Sequence, residues 1–234
     1  MTQVLSKTKF ASPVEQVLNF VCFPYRAFIQ NPNESTRRFM CLRDERMYYV
    51  AKHCSGRTLD LGCGPDNVFV KQFMKGNGQG ADVFRYPGLQ DSEIIENPPY
   101  LAFDDNSFET VTLIANVNHI PTSIIATEFQ EIARVLRPGG KLVVTRIGLI
   151  TSVLTHTVVH IQSMLSSAYY DMDRERGVED DERYTVSRKE IQALAEANHL
   201  HQQTVQRFWT QWWLNEVLVF EKSTEQQSVR RCAA

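Results

Sequence analysis

The sequence predicts an α/β fold, a mostly parallel sheet with helical crossovers that ends in an antiparallel hairpin. Three observations carry this. From residue 58 onward, short apolar runs of strand length ("RTLDLG", "QGADVF", "FETVTLIAN", "KLVVTRI") alternate with helical stretches, the pattern of right-handed βαβ units. The first run ends in a glycine turn, "GCGPD", at a strand-to-helix junction. Near the end, "QTVQRFWTQWWLNEVLVFEK" reads as two strands around a polar-aromatic turn, a hairpin on the sheet edge.

The elements before the sheet are helical. In "SPVEQVLNFVCF", Ser12 is placed to cap and Pro13 to occupy the first helical position. "NESTRRFMCLRDERMYYVAKHC" continues with apolar residues at three- and four-residue spacing and stops at Gly56. After the first strand, "DNVFVKQFMKG" predicts a helix closed by Gly76, and "SIIATEFQEIARVL" a second one before the "RPGG" turn. Residues 149–168 predict a helix, 169–186 a charged loop, and "SRKEIQALAEANH" a capped helix.

At 234 residues the chain fits one large domain. Its 25 basic and 27 acidic residues leave a net charge of −2 with no basic stripe, which argues against nucleic acid as a partner. The apolar runs are too short to span a bilayer, and "VLNFVCF", broken by Asn19 and stopped by Pro24, is a poor signal peptide. The terminal "CAA" is no prenylation box. Five cysteines without metal-type spacing read as reduced thiols, hence a cytoplasmic protein. His156 and His160 have the i, i+4 spacing that can bind zinc, but no Glu lies between them and no third ligand stands out, so no metal is expected.

Gly62 and Gly64 sit where a Cβ would keep the backbone from a ligand, and the helix N-terminus behind them favours an anion. Eighteen residues past Gly64, Asp82 ends the next strand, where a carboxylate can accept both ribose hydroxyls. Together these point to an adenosine cofactor. A dinucleotide site would want a third glycine where Asn67 stands. Asp60 would repel a pyrophosphate but suits an ammonium. Both facts favour S-adenosylmethionine over a nicotinamide cofactor.

Four blocks in order, "TLDLGCGP", "GADVF", "LAFDDNSFETVTLIANVNHI" and "EFQEIARVLRPGGKLVVTRI", resemble the class I S-adenosylmethionine-dependent methyltransferases of the small-molecule type, over residues 58–147. The resemblance implies a Rossmann-like, seven-stranded sheet. It also implies an N-terminal helical lid (1–57), a cofactor-binding core (58–147), a substrate-covering segment (148–203), the hairpin (204–222) and a disordered tail (223–234). Carried over by motif position, Asp60, Gly62, Cys63 and Gly64 would line the methionine part of the cofactor, Asp82 would hold its ribose, and Val83 would pack on adenine. Asn97, Leu101 and Ala102 would flank the base, and Asn116 would lie under the sulfonium. The family's adenine-binding acid is missing near position 97, where Glu96 and Asn97 are the candidates.

"NPPY", residues 97–100, matches the signature of enzymes that methylate the amino group of adenine in DNA. In those enzymes it follows the fourth strand, beside the methyl group, with the aromatic ring stacked on a flipped base. Here it precedes "FETVTLIAN", the strand that aligns as the fourth, and the position after that strand reads "NVNH". The match is therefore positional coincidence.

His119, just past a strand's carboxyl end, is the candidate general base; a histidine that only shapes the pocket is the equal alternative. Tyr169, Tyr170, Asp171 and Asp173 would give an acidic-aromatic wall suited to a cationic amine, unless the acids simply pair with Arg174 and Arg176. Tyr25 could complete the pocket. The expectation is methyl transfer to a nitrogen, less readily an oxygen, of a small-molecule metabolite. The alternatives are a catalytically silent cofactor-binding subunit of another enzyme and, disfavoured, an adenine N-methyltransferase of nucleic acid.

Overall fold

The structure, a computed structural model, describes residues 12–30, 34–36, 39–86, 88–148 and 185–224. Helices α1 (Pro13–Val21), α2 (Phe23–Phe28) and α3 (Leu42–Ala51) precede the sheet. Strands β1 (Thr58–Leu61), β2 (Gly78–Ala81) and β3 (Phe108–Leu113) come next, followed by helix α4 (Ile125–Val135) and strand β4 (Leu136–Ile147). Helix α5 (Arg188–Ala197) and strands β5 (Leu200–Arg207) and β6 (Asn215–Lys222) complete the described chain. The expected helix over 149–168 and most of the charged loop lie outside the described residues.

The sheet runs β2-β1-β3-β4-β6-β5, with β2 to β4 parallel and β6 antiparallel to both neighbours. This is the Rossmann-like arrangement the sequence predicts, with six strands among the described residues rather than seven. The outer edge explains the difference. Beyond β2, a single parallel bridge joins Asp82 to Ile94. A 3₁₀ turn at Asp91–Glu93 bends the chain before it, and Pro98 and Pro99 after it have no N–H to extend a ladder.

Side chains alternate across the sheet, as the two-residue period requires. Leu142, Val144, Leu218 and Phe220 join Leu59, Leu61 and Leu113 in a core under α4 and α5. Val143, Val217 and Val219 join Phe69, Val70 and Phe208 in a second core under Met47, Tyr49 and Val50 of α3. Tyr49 stacks on Phe208 at 4.2 Å between ring centroids.

Two helices depart from expectation. After the glycine turn the chain makes a 3₁₀ turn (Pro65–Asn67) and one π turn (Phe69–Phe73) in place of an α-helix, because Asp66 and Asn67 take left-handed angles of φ 65° and 47°. In the N-terminal region α3 starts at Leu42, capped by the Cys41 thiol, and not at the "NEST" segment. Ser12 and Ser187 cap α1 and α5 as the sequence predicts, Ser12 in a full capping box with Glu15. Ser223, expected in the tail, is tied back to His199 and His201.

Candidate active site

The candidate crevice lies at the carboxyl ends of β1, β2 and β3. Strand β1 stops at Gly62, whose φ of 72° turns the chain, and Gly64 follows at φ 64°. A side chain on Gly62 would collide with the Asn116 amide, whereas one on Gly64 would meet nothing within 4 Å. The Gly64 Hα thus faces open space, the kind of cradle a methionine tail requires. Asn116 holds this geometry from the far side, its Nδ2 donating to the Leu61 carbonyl at 3.2 Å.

Asp82 closes the turn. Its Oδ2 accepts the Gly64 N–H at 2.9 Å, its Oδ1 accepts the Phe84 N–H at 3.0 Å, and its residue is 5% exposed. Each oxygen keeps lone-pair capacity for a ribose hydroxyl. Val83 beside it is 46% exposed, a surface open to a base.

Asp60 lies behind the turn. Its carboxylate accepts the Thr112 hydroxyl at 2.6 Å, and the side chain shares the sheet face of α3. Burial pushes its carboxyl up to about 7, and the Asp82 charge adds to the shift against the hydrogen bond from Thr112. The buried Cys63 thiol is pushed up by burial and then by Asp60, Asp82 and Glu93, so it forms a neutral wall and not a nucleophile. Asn67 fills the place of the third glycine: its Nδ2 donates to Glu93 at 2.7 Å and its amide lies over Gly80, where any Cβ would come within 2.5 Å. The strand supplies the small residue that a dinucleotide-binding helix would otherwise provide.

The segment expected to flank the base is fastened by two α4 residues that sequence reasoning missed. Arg134 donates to the carbonyls of Leu101 (2.8 Å) and Phe103 (2.7 Å) and pairs with Asp105, while Glu131 accepts the Leu101 N–H at 2.9 Å. Glu131 and Arg134 are bonded to each other one turn apart. The signal was present: the acid–base pair at i, i+3 inside "EIARVL" faces "LAFDD". Leu101 is buried and Ala102 exposed. Asn97 is exposed, its carbonyl accepting the Tyr100 N–H at 2.9 Å, and Glu96 is engaged by Arg85. The "NPPY" tetrapeptide lies before β3, beside the end of β2, and not after β3 where adenine chemistry would need it.

After β3 the chain makes a 3₁₀ turn, Val117–His119. His119 is half-buried, and the Asn118 Nδ2 lies 3.1 Å from its Nε2.

Other expected residues fall elsewhere. Tyr25 lies on α2, packed on Phe39 at 5.7 Å. Tyr169, Tyr170, Asp171 and Asp173, with His156 and His160, lie outside the described residues. The hairpin tryptophans dock the N-terminal helices: Trp209 stacks on Phe20 at 5.7 Å, and Trp212 Nε1 donates to the Phe20 carbonyl. Beneath them is a buried cluster the sequence did not reveal. Arg26, 1% exposed, pairs with Glu45 at 2.5 Å and donates to the carbonyls of Asn19, Met40 and Thr210. Glu45 also accepts from Thr210 and from Gln211 Nε2. No helix among the described residues is long and apolar enough to cross a membrane.

Comparison with known proteins agrees with this geometry. A methyltransferase-domain family model matches residues 59–144. No curated protein sequence matches the chain. Among solved structures, a 1,6-didemethyltoxoflavin N1-methyltransferase from Burkholderia thailandensis, bound to its substrate and S-adenosylhomocysteine, is similar at TM-score 0.53 and 13% identity over 92% of each chain. The PH0226 protein from Pyrococcus horikoshii is similar at TM-score 0.56 and 18% identity, over 86% of this chain and 98% of that one. An S-adenosylmethionine-dependent methyltransferase from Methanosarcina mazei is similar at TM-score 0.50 and 17% identity, over 76% and 98%.

Proposed function

We propose, starting from a chain that belongs to the class I S-adenosylmethionine-dependent methyltransferases, that its acceptor is a nitrogen, or less readily an oxygen, of a small-molecule metabolite such as an amine. S-adenosylmethionine is the cofactor; when bound it supplies a methyl group on a sulfonium, open to in-line displacement by an acceptor lone pair. The protein's own residues would then have three tasks: Gly62, Gly64 and Asp82 to hold the cofactor, Asn116 to brace the turn, and His119, on the turn after β3, to take the acceptor's proton.

One observation carries the small acceptor. The buried Arg26–Glu45–Thr210 cluster locks α1 and α2 onto the turn between β5 and β6, at the same sheet edge as the crevice. A duplex would need that edge open and basic. The toxoflavin enzyme of similar fold supports a nitrogen acceptor by example. The four described cysteines are free, which supports a cytoplasmic setting.

The test is transfer of a labelled methyl group to panels of amines, phenols, and short DNA and RNA. Label in the amine panel is the expected result, and label in nucleic acid overturns the reading. His119→Gln should lower turnover by roughly 10²–10⁴ if the ring acts as base, with cofactor affinity unchanged.

A further inference from the structure

The first two helices are amphipathic in the reverse sense. The side chains they bury against the body of the protein are Asn19, Phe23 and Arg26, followed by Gln30, three of the four polar. The apolar ones face outward. Val14, Leu18, Val21, Tyr25 and Phe28 recur at alternating four- and three-residue steps, each at least 41% exposed. Val17 and Ile29, also exposed, widen the stripe. The Cys22 N–H bonds the Leu18 carbonyl and the Arg26 N–H bonds the Cys22 carbonyl, so the stripe continues from α1 into α2. Four-three spacing is that of a seam between paired helices.

The hairpin enlarges this face. Trp212 and Trp213 hold left-handed angles of φ 52° and 57°, a costly backbone for bulky residues. Both indoles are left exposed beside the α1–α2 junction, Trp212 5.2 Å from the Phe23 ring and Trp213 5.9 Å from that of Phe20. Of the eleven large apolar side chains exposed among the described residues, nine lie in this region, and only Val83 and Tyr100 lie elsewhere. The nine leave on the order of 800–900 Å² open, above the roughly 300–600 Å² of an ordinary monomer's largest patch and near the ~800 Å² that each partner gives a standard interface.

We propose that two copies of this chain pair through α1, α2 and the Trp212–Trp213 turn, about a two-fold axis near Val21. The area is that of a stable pairing, and its aromatic, uncharged make-up is that of an interface core. A two-fold copy sets the same patch against itself, and no like charges meet on this one. A membrane surface fits less well. Helices that lie on lipid carry Lys or Arg on their polar face, whereas the one basic residue between Ser12 and Gln30 is Arg26, buried against Glu45. The inference is independent of the cofactor and the acceptor.

Sedimentation velocity between about 1 and 100 μM tests it. Wild type should be dimeric over most of that range, with tryptophan emission shifting to the blue as the dimer forms. Val21→Glu and Val21→Lys should each weaken pairing by at least about a hundredfold, because Val21 faces its own copy whichever way the helices run. An equimolar mixture of the two should recover the dimer, which a folding defect could not do. Should either variant fail to fold, Val17→Glu and Val17→Lys carry the comparison. Variants that pair as wild type does overturn the proposal. A monomeric wild type also overturns it, and flotation with phosphatidylcholine–phosphatidylserine vesicles then tells a lipid surface from the chain's own residues 149–184 as the cover.

Discussion

The Asp82 carboxylate accepts the Gly64 N–H at 2.9 Å, so the residue expected to hold the ribose also fastens the turn expected to hold the methionine tail. One substitution should therefore affect both. S-adenosylhomocysteine at a hundred times its Kd stabilises the folded state by about 2.7 kcal/mol, which for a chain of this size raises the Tm by roughly 5–10 °C. Asp82→Ala should abolish that rise and also lower the Tm of the free protein by a few degrees. Asp82→Asn, which keeps one acceptor oxygen, should restore part of the free-protein Tm and little of the ligand response. Thermal melts with S-adenosylmethionine, S-adenosylhomocysteine and NAD decide it, the last giving no shift with any variant.

Sequence legibility followed locality. Strands, caps and the glycine turn could be read because their signals lie within a few residues: alternation in "KLVVTRI", Ser12 before Pro13, two glycines after β1. The seventh strand could not be excluded, because its loss is decided by a 3₁₀ turn and two prolines acting together beyond β2. The helix after the glycine turn was misread because apolar spacing is blind to the left-handed angles at Asp66 and Asn67. Arg26 and Glu45 were invisible for another reason. They meet Thr210 and Gln211 across more than 160 residues, and nothing local marks a charged residue as buried.

Arg134 makes the fastening of residues 101–105 testable. Its guanidinium spans two carbonyls and two carboxylates, a geometry an ammonium cannot reproduce. Arg134→Lys should loosen the base-flanking segment and weaken cofactor binding by about tenfold, while the Tm falls by only a few degrees. Hydrogen exchange should show the Leu101 amide losing protection in the variant. Retained protection there would mean that Glu131 alone holds the segment.

The buried Arg26–Glu45 pair should behave asymmetrically. Arg26→Met leaves Glu45 charged and enclosed, at a cost of about 3–5 kcal/mol. The double variant Arg26→Met with Glu45→Met removes both charges and should recover much of that loss, though Thr210 and Gln211 lose their acceptor. Urea unfolding of the two variants measures the difference. The single variant should also release Trp212, whose indole is bonded to Phe20 on α1, and so shift the tryptophan fluorescence.

Glu128 gives the stability a defined pH dependence. It is 7% exposed on α4, and burial, with the neighbouring Glu131 charge, pushes its carboxyl up from 4.5 to about 7. A carboxyl raised on folding stabilises the protein while protonated. That contribution is complete below about pH 4 and is lost as pH rises through 7. Glu216 acts in the opposite sense: burial pushes it up, but the Arg188 and Arg146 guanidiniums prevail and hold it low, so its contribution is present at neutral pH and lost on acidification. Glu128→Gln should therefore match wild type near pH 4, gain stability steadily up to about pH 7, and hold a gain of roughly 2–3 kcal/mol above it. Glu216→Gln should lose stability at pH 7 and approach wild type in acid. Tm profiles between pH 4 and 9 separate the two, and a Glu128→Gln effect independent of pH would mean that folding does not raise the Glu128 carboxyl.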